Sequence, residues 1–207
     1  MMDMQYYQHL LIIAAVAVVT WCVAIYFWPR MLLLAFKRAI LVKGFGDGPI
    51  PVNTLYVQPQ KLFSEPLTMQ TGSNSNSVIA GVIHDTLLTL GWLDLGQGAL
   101  VLHVPDMNGR YYCVQFTDPT KNANFAYVGK RTTGTQAGDY LITGPGWKGQ
   151  TPGGMLQISS PSNSVFLAGR VLVENDSDLS TAYDLSKQIQ LTPLSGWLLS
   201  HSRGLLK

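Results

Sequence analysis

The chain has 207 residues, 47% of them hydrophobic, and sets 14 Lys and Arg against 12 Asp and Glu for a net charge of +2. So small an excess excludes a basic nucleic-acid surface, the more so because the cations gather behind an apolar N-terminal segment instead of forming a stripe elsewhere. Cys22 in that segment and Cys113 in a predicted strand lie in regions not expected to meet, which excludes a disulfide framework.

Residues 9–28 carry no formal charge, are rich in Leu, Ile, Val and Ala, and have Tyr6, Tyr7, Trp21, Tyr26, Phe27 and Trp28 in or beside them. About 20 apolar residues cross a hydrocarbon core as a helix, and Tyr and Trp favour its interfaces, so a single transmembrane helix is predicted. A cleaved signal peptide fits less well, because no Lys or Arg precedes the run and no A-x-A site follows it, where the chain reads YFWPRM. Only Asp3 precedes the run, whereas Arg30, Lys37, Arg38 and Lys43 follow it, which directs the folded domain to the cytoplasmic side. Segment 31–43 either continues the helix past Pro29 or lies among lipid headgroups; a juxtamembrane helix without a separate role is the plainer expectation. The organisation expected is an anchor with its juxtamembrane helix at 1–43, a Gly/Pro linker at 44–51 (GFGDGPIP) and a β-domain at 52–207.

Within the domain, 52–69 holds short extended pieces broken by Pro59 and Pro66, and 71–77 (TGSNSNS) is a polar loop. Strands are predicted at 78–83, 86–95, 100–104, 110–117, 139–143, 155–159 and 165–174, where Val, Tyr, Phe, Thr and Ile run between Gly, Pro, Asn and Asp clusters. The stretch 109–149 organises them: an aromatic alternating run, a polar loop, the turn KRTTGTQAG, a second alternating run and a GPGW corner. A helix is predicted over 176–190, opened by capping residues, with Leu179, Ala182, Leu185 and Ile189 on one face and Pro193 beyond its end. Residues 194–207 fold back either on the core or on the membrane surface. The fold class expected is mainly β, a β-sandwich or jelly-roll-like domain with one C-terminal helix, preceded by a single N-terminal transmembrane helix.

The runs IHDTLLTLGWLDL, VLHVPDMNGRYY, KRTTGTQAGDYLITGPGWKGQTP, GRVLVENDSDL and LTPLSGW, in that order over 78–197, resemble the family of domain of unknown function 1254. The family's strand motif opens with Pro-Asn before Asp-Thr-Leu; Val82 and Ile83 stand there in this chain, so any role of that asparagine is missing. The resemblance implies a β-rich protein, exported or membrane-attached, with no agreed activity. It also implies a frequent companion domain of unknown function 1214, which is expected to be missing from this single-domain, membrane-anchored member. Export of relatives pulls against the flanking charges, so a cytoplasmic-facing domain is retained with a periplasmic-facing one as the alternative.

Polar residues in the best-marked motifs are His84, Asp85, His103, Arg110, Asp118, Lys130, Arg131, Asp139 and Arg170. A hydrolytic reading makes His84, beside Asp85, a general base oriented by Asp118, with Arg110 polarising an oxyanion. No G-x-S-x-G elbow accompanies them, and hydrogen-bonded structural roles are the plainer reading. His9, His84, His103 and His201 lack zinc-type spacing and no acidic run resembles a calcium loop, so neither metal nor cofactor is expected. The glycine-rich segments lack Walker spacing and read as turns. A ligand cleft would involve Trp92, Arg110 and Trp147, although core anchors are the plainer reading of the two indoles. Arg110 and Asp139, each opening a strand, are expected to pair. The function expected is a structural or accessory subunit of a membrane-associated assembly, with the bilayer held through 9–28, other proteins or a second copy as partners, and no nucleic acid. The alternative is a small-ligand-binding protein or hydrolase-like enzyme with a cleft near His84, Asp85 and Arg110.

Overall fold

The computed structural model describes residues 4–44, 48–63, 68–70, 76–78 and 85–204. The strand expected at 78–83 beyond Val78, the polar loop over 71–75, and His84 lie outside them. The chain divides into two compact units, Met1–Arg38 and Ala39–Lys207.

The first element is α1, Met4–Lys43, and Gln5–Lys43 is long and apolar enough to cross a membrane. Its apolar side chains are exposed along the run, Leu11 at 70% and Trp21 at 69%. Segment 31–43 continues the helix through Pro29 instead of leaving it. Proline removes one backbone donor and crowds the preceding turn, and in that turn the Arg30 guanidinium donates to the Tyr26 carbonyl at 2.8 Å and covers the Tyr26 ring at 3.7 Å.

The second unit is mainly β. Its strands are β1 (Leu55–Val57), β2 (Thr68–Gln70), β3 (Asn76–Val78), β4 (Thr86–Asp94), β5 (Leu100–Val104), β6 (Tyr112–Asp118), β7 (Ala123–Gly129), β8 (Gly138–Thr143), β9 (Leu156–Ser159), β10 (Ser164–Leu172) and β11 (Gln190–Pro193). A five-stranded sheet runs β1-β4-β10-β6-β7, a four-stranded sheet β11-β5-β8-β9, and β2 pairs with β3. All neighbours are antiparallel except β8 and β9. Period-two alternation sends Tyr112, Val114 and Phe116 of β6 and Val165, Leu167 and Val171 of β10 into a core shared with Leu100, Leu102 and Ile142 of the other sheet. Cys113, Gln115, Ala168 and Arg170 are therefore on the opposite face of the five-stranded sheet.

Two turns place β6 and β8. Asn108 and Gly109 both have positive φ, 46° and 77°, as a type I′ turn requires, and Arg110 N–H closes it on the Met107 carbonyl at 2.8 Å. In the GPGW corner Pro145 precedes Gly146 at φ 76°, the order of a type II turn, closed by Trp147 N–H on the Gly144 carbonyl at 3.3 Å.

Three expectations need correcting, and one that left two alternatives takes the first of them. Residues 123–129 are β7 and not polar loop, because a register shift opposite Phe116 and Thr117 bulges Phe125 out of step and breaks the alternation that would announce a strand. Asn76 and Ser77 belong to β3 and not to the loop. The helix over 176–190 is α2, Leu179–Gln188, entered through a 3₁₀ turn at Asp176–Asp178, and Gln190 already starts β11. A further helix, α3 (Leu194–Gly204), folds back on the domain, seating Leu194 and Trp197 on Ala99, Val101 and Leu141.

Candidate functional site

Of the described residues of the hydrolytic reading, Asp85 and Arg110 meet the same end of β10, at Val173 and Leu172, whereas Asp118 lies at the far end of β6. Asp85 is exposed and uses its carbonyl to accept Val173 N–H at 2.8 Å. Arg110 and Asp118 flank opposite ends of β6, roughly 25 Å apart at the rise of an extended strand. Arg110 is also engaged: its Nη2 donates to Asp178 Oδ1 at 2.6 Å, its Nη1 to Asp178 Oδ2 and, at 2.7 Å, to the Leu172 carbonyl. The expected Arg110–Asp139 pair does not form, because the turn at 108–109 aims Arg110 at the start of α2 while Asp139 lies across β5 and β8 from His103. The Arg110 hydrogen bond holds the Asp178 carboxyl below its ordinary range. Asp118 is 1% exposed; burial pushes its carboxyl up, but the Thr120 hydroxyl and N–H, the Ser162 hydroxyl and the charge of Lys121 outweigh that and hold it low.

The two tryptophans do not share a cleft. Trp92 is 2% exposed, packs on Phe166 with ring centroids 5.5 Å apart, and donates Nε1–H to Ser164 Oγ at 2.8 Å. Trp147 is half-buried and lines an open hollow of about 350 Å³ with Leu95, Gln97, Pro145 and Asn163.

Two constellations were not legible as such in the sequence. On the four-stranded sheet, His103 of β5 faces Asp139 of β8 in register, and Nδ1 lies 2.7 Å from Asp139 Oδ1. A carboxylate only accepts, so Nδ1 is the donor of this bond. Asp139 Oδ2 accepts Trp197 Nε1–H at 3.1 Å, and His201 stacks on that indole at 3.8 Å. The dyad resembles the orienting half of a catalytic triad, but among the described residues no hydroxyl or thiol hydrogen-bonds to His103.

The second is a groove of about 410 Å³ on the face of the β10-β6-β7 ladder turned away from the shared core. Cys113 stands opposite both Arg170 of β10 and Gly129 of β7, and Gln115 opposite both Ala168 and Tyr127. Small side chains thus make the floor while Tyr111, Tyr127, Arg131 and Arg170 make the walls. Gly129 is required for this close approach, since a Cβ there would lie 2.5 Å from the Tyr112 carbonyl oxygen. Arg131 sits 5.5 Å above the Tyr111 ring. Burial raises the pKa of the Cys113 thiol, and the charges of Arg170 and Arg131 pull against that rise. Burial also pushes the Tyr112 phenol, on the core side, up to about 12. Among the described residues no three His, Cys, Asp or Glu side chains converge as a metal site.

No protein with a curated description matches the chain. Among solved structures it is similar to the VPA0106 protein from Vibrio parahaemolyticus, at 26% identity and a TM-score of 0.59. That likeness covers 84% of this chain and 37% of the Vibrio protein, so the chain spans little more than a third of that protein's length. The family model described as protein of unknown function (DUF1254) matches residues 65–193, a range that runs from β2 through β11 and includes the groove. The chain therefore belongs to the DUF1254 family.

Proposed function

We propose that the protein is a single-pass membrane-anchored subunit that serves a membrane-associated assembly through binding and not through turnover, with its domain on the cytoplasmic face. The observation that carries this reading is α1: residues 9–28 supply about 30 Å of helix with apolar side chains exposed on every side, the length of a hydrocarbon core. The cations Arg30, Lys37, Arg38 and Lys43 behind that run favour the cytoplasmic side. Binding is favoured over catalysis because Arg110, the oxyanion donor of the hydrolytic alternative, is already held by Asp178, and because among the described residues no hydroxyl or thiol hydrogen-bonds to His103. Extraction of native membranes in mild detergent followed by size exclusion tests the proposal: stoichiometric co-elution with the same proteins across detergents is the expected result. A homogeneous free monomer, or recovery of the full chain in the soluble fraction, overturns it.

A further inference from the structure

We propose that the groove on the β10-β6-β7 face binds a small organic anion, a flat apolar body carrying a carboxylate or phosphate group. This does not depend on the membrane reading. The space, about 410 Å³, falls among small-molecule sites. Arg131 and Arg170 both line it, no Asp or Glu does, and neither guanidinium makes an ion pair among the described residues. Arg110, by contrast, is neutralised by Asp178. Two like charges set beside one hollow repel each other, and a shared anion relieves that repulsion; the planar guanidinium fork matches the paired oxygens of carboxylate and phosphate.

The register orders the rest of the site. Cys113 lies between Arg170 on β10 and Gly129 on β7, the residue from which the chain turns toward Arg131, so the anionic head belongs over Cys113. One pair further along, Gln115 stands between Ala168 and Tyr127, and here the floor is small and the wall aromatic. Tyr127 is 43% exposed, which leaves its ring face open to a flat ligand body. The Gln115 Nε2 donates to Asn124 Oδ1 at 2.9 Å and Thr117 Oγ1 at 3.2 Å, which orients Oε1 as the remaining acceptor for a ligand hydroxyl.

The test is calorimetric titration of the full chain in neutral-detergent micelles with phenyl phosphate and benzoate, beside phenol and inorganic phosphate. Phenyl phosphate is expected to bind at least about tenfold tighter than phenol or inorganic phosphate, with Arg131→Ala and Arg170→Ala each weakening it by about tenfold and Tyr127→Ala by severalfold. All three side chains are exposed, so the melting temperature should stay within about one degree of wild type, and Lys148→Ala should change neither quantity. A short-chain phosphatidate added to the micelles separates the sources of the anion. Displacement of phenyl phosphate by it supports the site with a lipid headgroup as occupant; indifference supports it with a free organic anion. Binding that is equal for phenol, unchanged in both arginine variants, or absent for both aromatic anions at millimolar concentration overturns the proposal.

Discussion

Arg110 commits both terminal nitrogens, one to Asp178 and one to Asp178 and the Leu172 carbonyl together, and thereby ties the entry of β6 to the start of α2, 68 residues later. The two side chains are only 13% and 16% exposed, so removing one leaves the other charged and poorly solvated. Arg110→Ala is expected to cost about 3 kcal/mol, which lowers the melting temperature of a domain this size by roughly 6–12 °C in a calorimetric scan. A double-mutant cycle should find strong coupling between Arg110 and Asp178, whereas Arg110 and Asp139 should be additive to about 0.5 kcal/mol, since they share no partner. The pH dependence follows from the lowered Asp178 pKa. A carboxyl held below its unfolded value contributes stability that is complete above that value, near 3.8, and is lost as pH falls through the folded one. Acid unfolding of wild type should therefore steepen below about pH 4, and Asp178→Asn should flatten that limb while lowering stability at neutral pH. Cations and carboxylates at strand ends announce ion pairs in the sequence, but which cation meets which carboxylate depends on where two turns point, and that is tertiary information.

At the level of elements, the strands dense in buried apolar residues were legible: β4, β5 and β8 fall within a residue of their predicted bounds because burial marks most of their positions. Strand β7 was illegible for the opposite reason. It is a bulged edge strand, with Ala123, Asn124 and Tyr127 exposed, and the extra residue at Phe125 shifts the pattern halfway along. The groove was hidden with it, since one wall needs β7 and its floor needs two strands far apart in sequence. Gly129 is the pivot of that ladder: Gly129→Ala should destabilise by about 1–3 kcal/mol, measured by urea unfolding, because the new methyl meets backbone and not a movable side chain. For α3, the anchor is the Trp197 indole on Asp139. Trp197→Phe keeps the ring and deletes the donor, so a loss of about 1.5 kcal/mol is expected, together with faster amide exchange confined to 194–204.

At the scale of the whole molecule, the end of α1 and the segment before Val52 bear on the stability of the domain. Ile40 and Ile50 are 1% and 5% exposed, and Ile50 N–H reaches the Ile40 carbonyl at 3.3 Å, both within the compact unit Ala39–Lys207. A chain beginning at Ala39 should be more stable than one beginning at Val52 by about 3 kcal/mol, both β-rich by circular dichroism. Topology can be read with a cysteine placed at exposed Ser180, after Cys113→Ser: an impermeant maleimide should label it only once the membrane is breached, and labelling of intact cells would put the domain outside. The pairing of β4 with β10 also governs how the protein comes into being. The partners of Thr86–Asp94 are Ser164–Leu172, roughly 70 to 86 residues further on. At about 5–20 residues per second, β4, whose residues are buried from Thr86 to Leu93, waits on the order of 4–16 s after its own synthesis for the strand that completes the centre of the sheet. Through that interval the nascent polypeptide, its anchor already made, carries β4 with the edge meant for β10 open, so its yield in vivo should depend on holdase chaperones at the ribosome far more than its final stability would suggest.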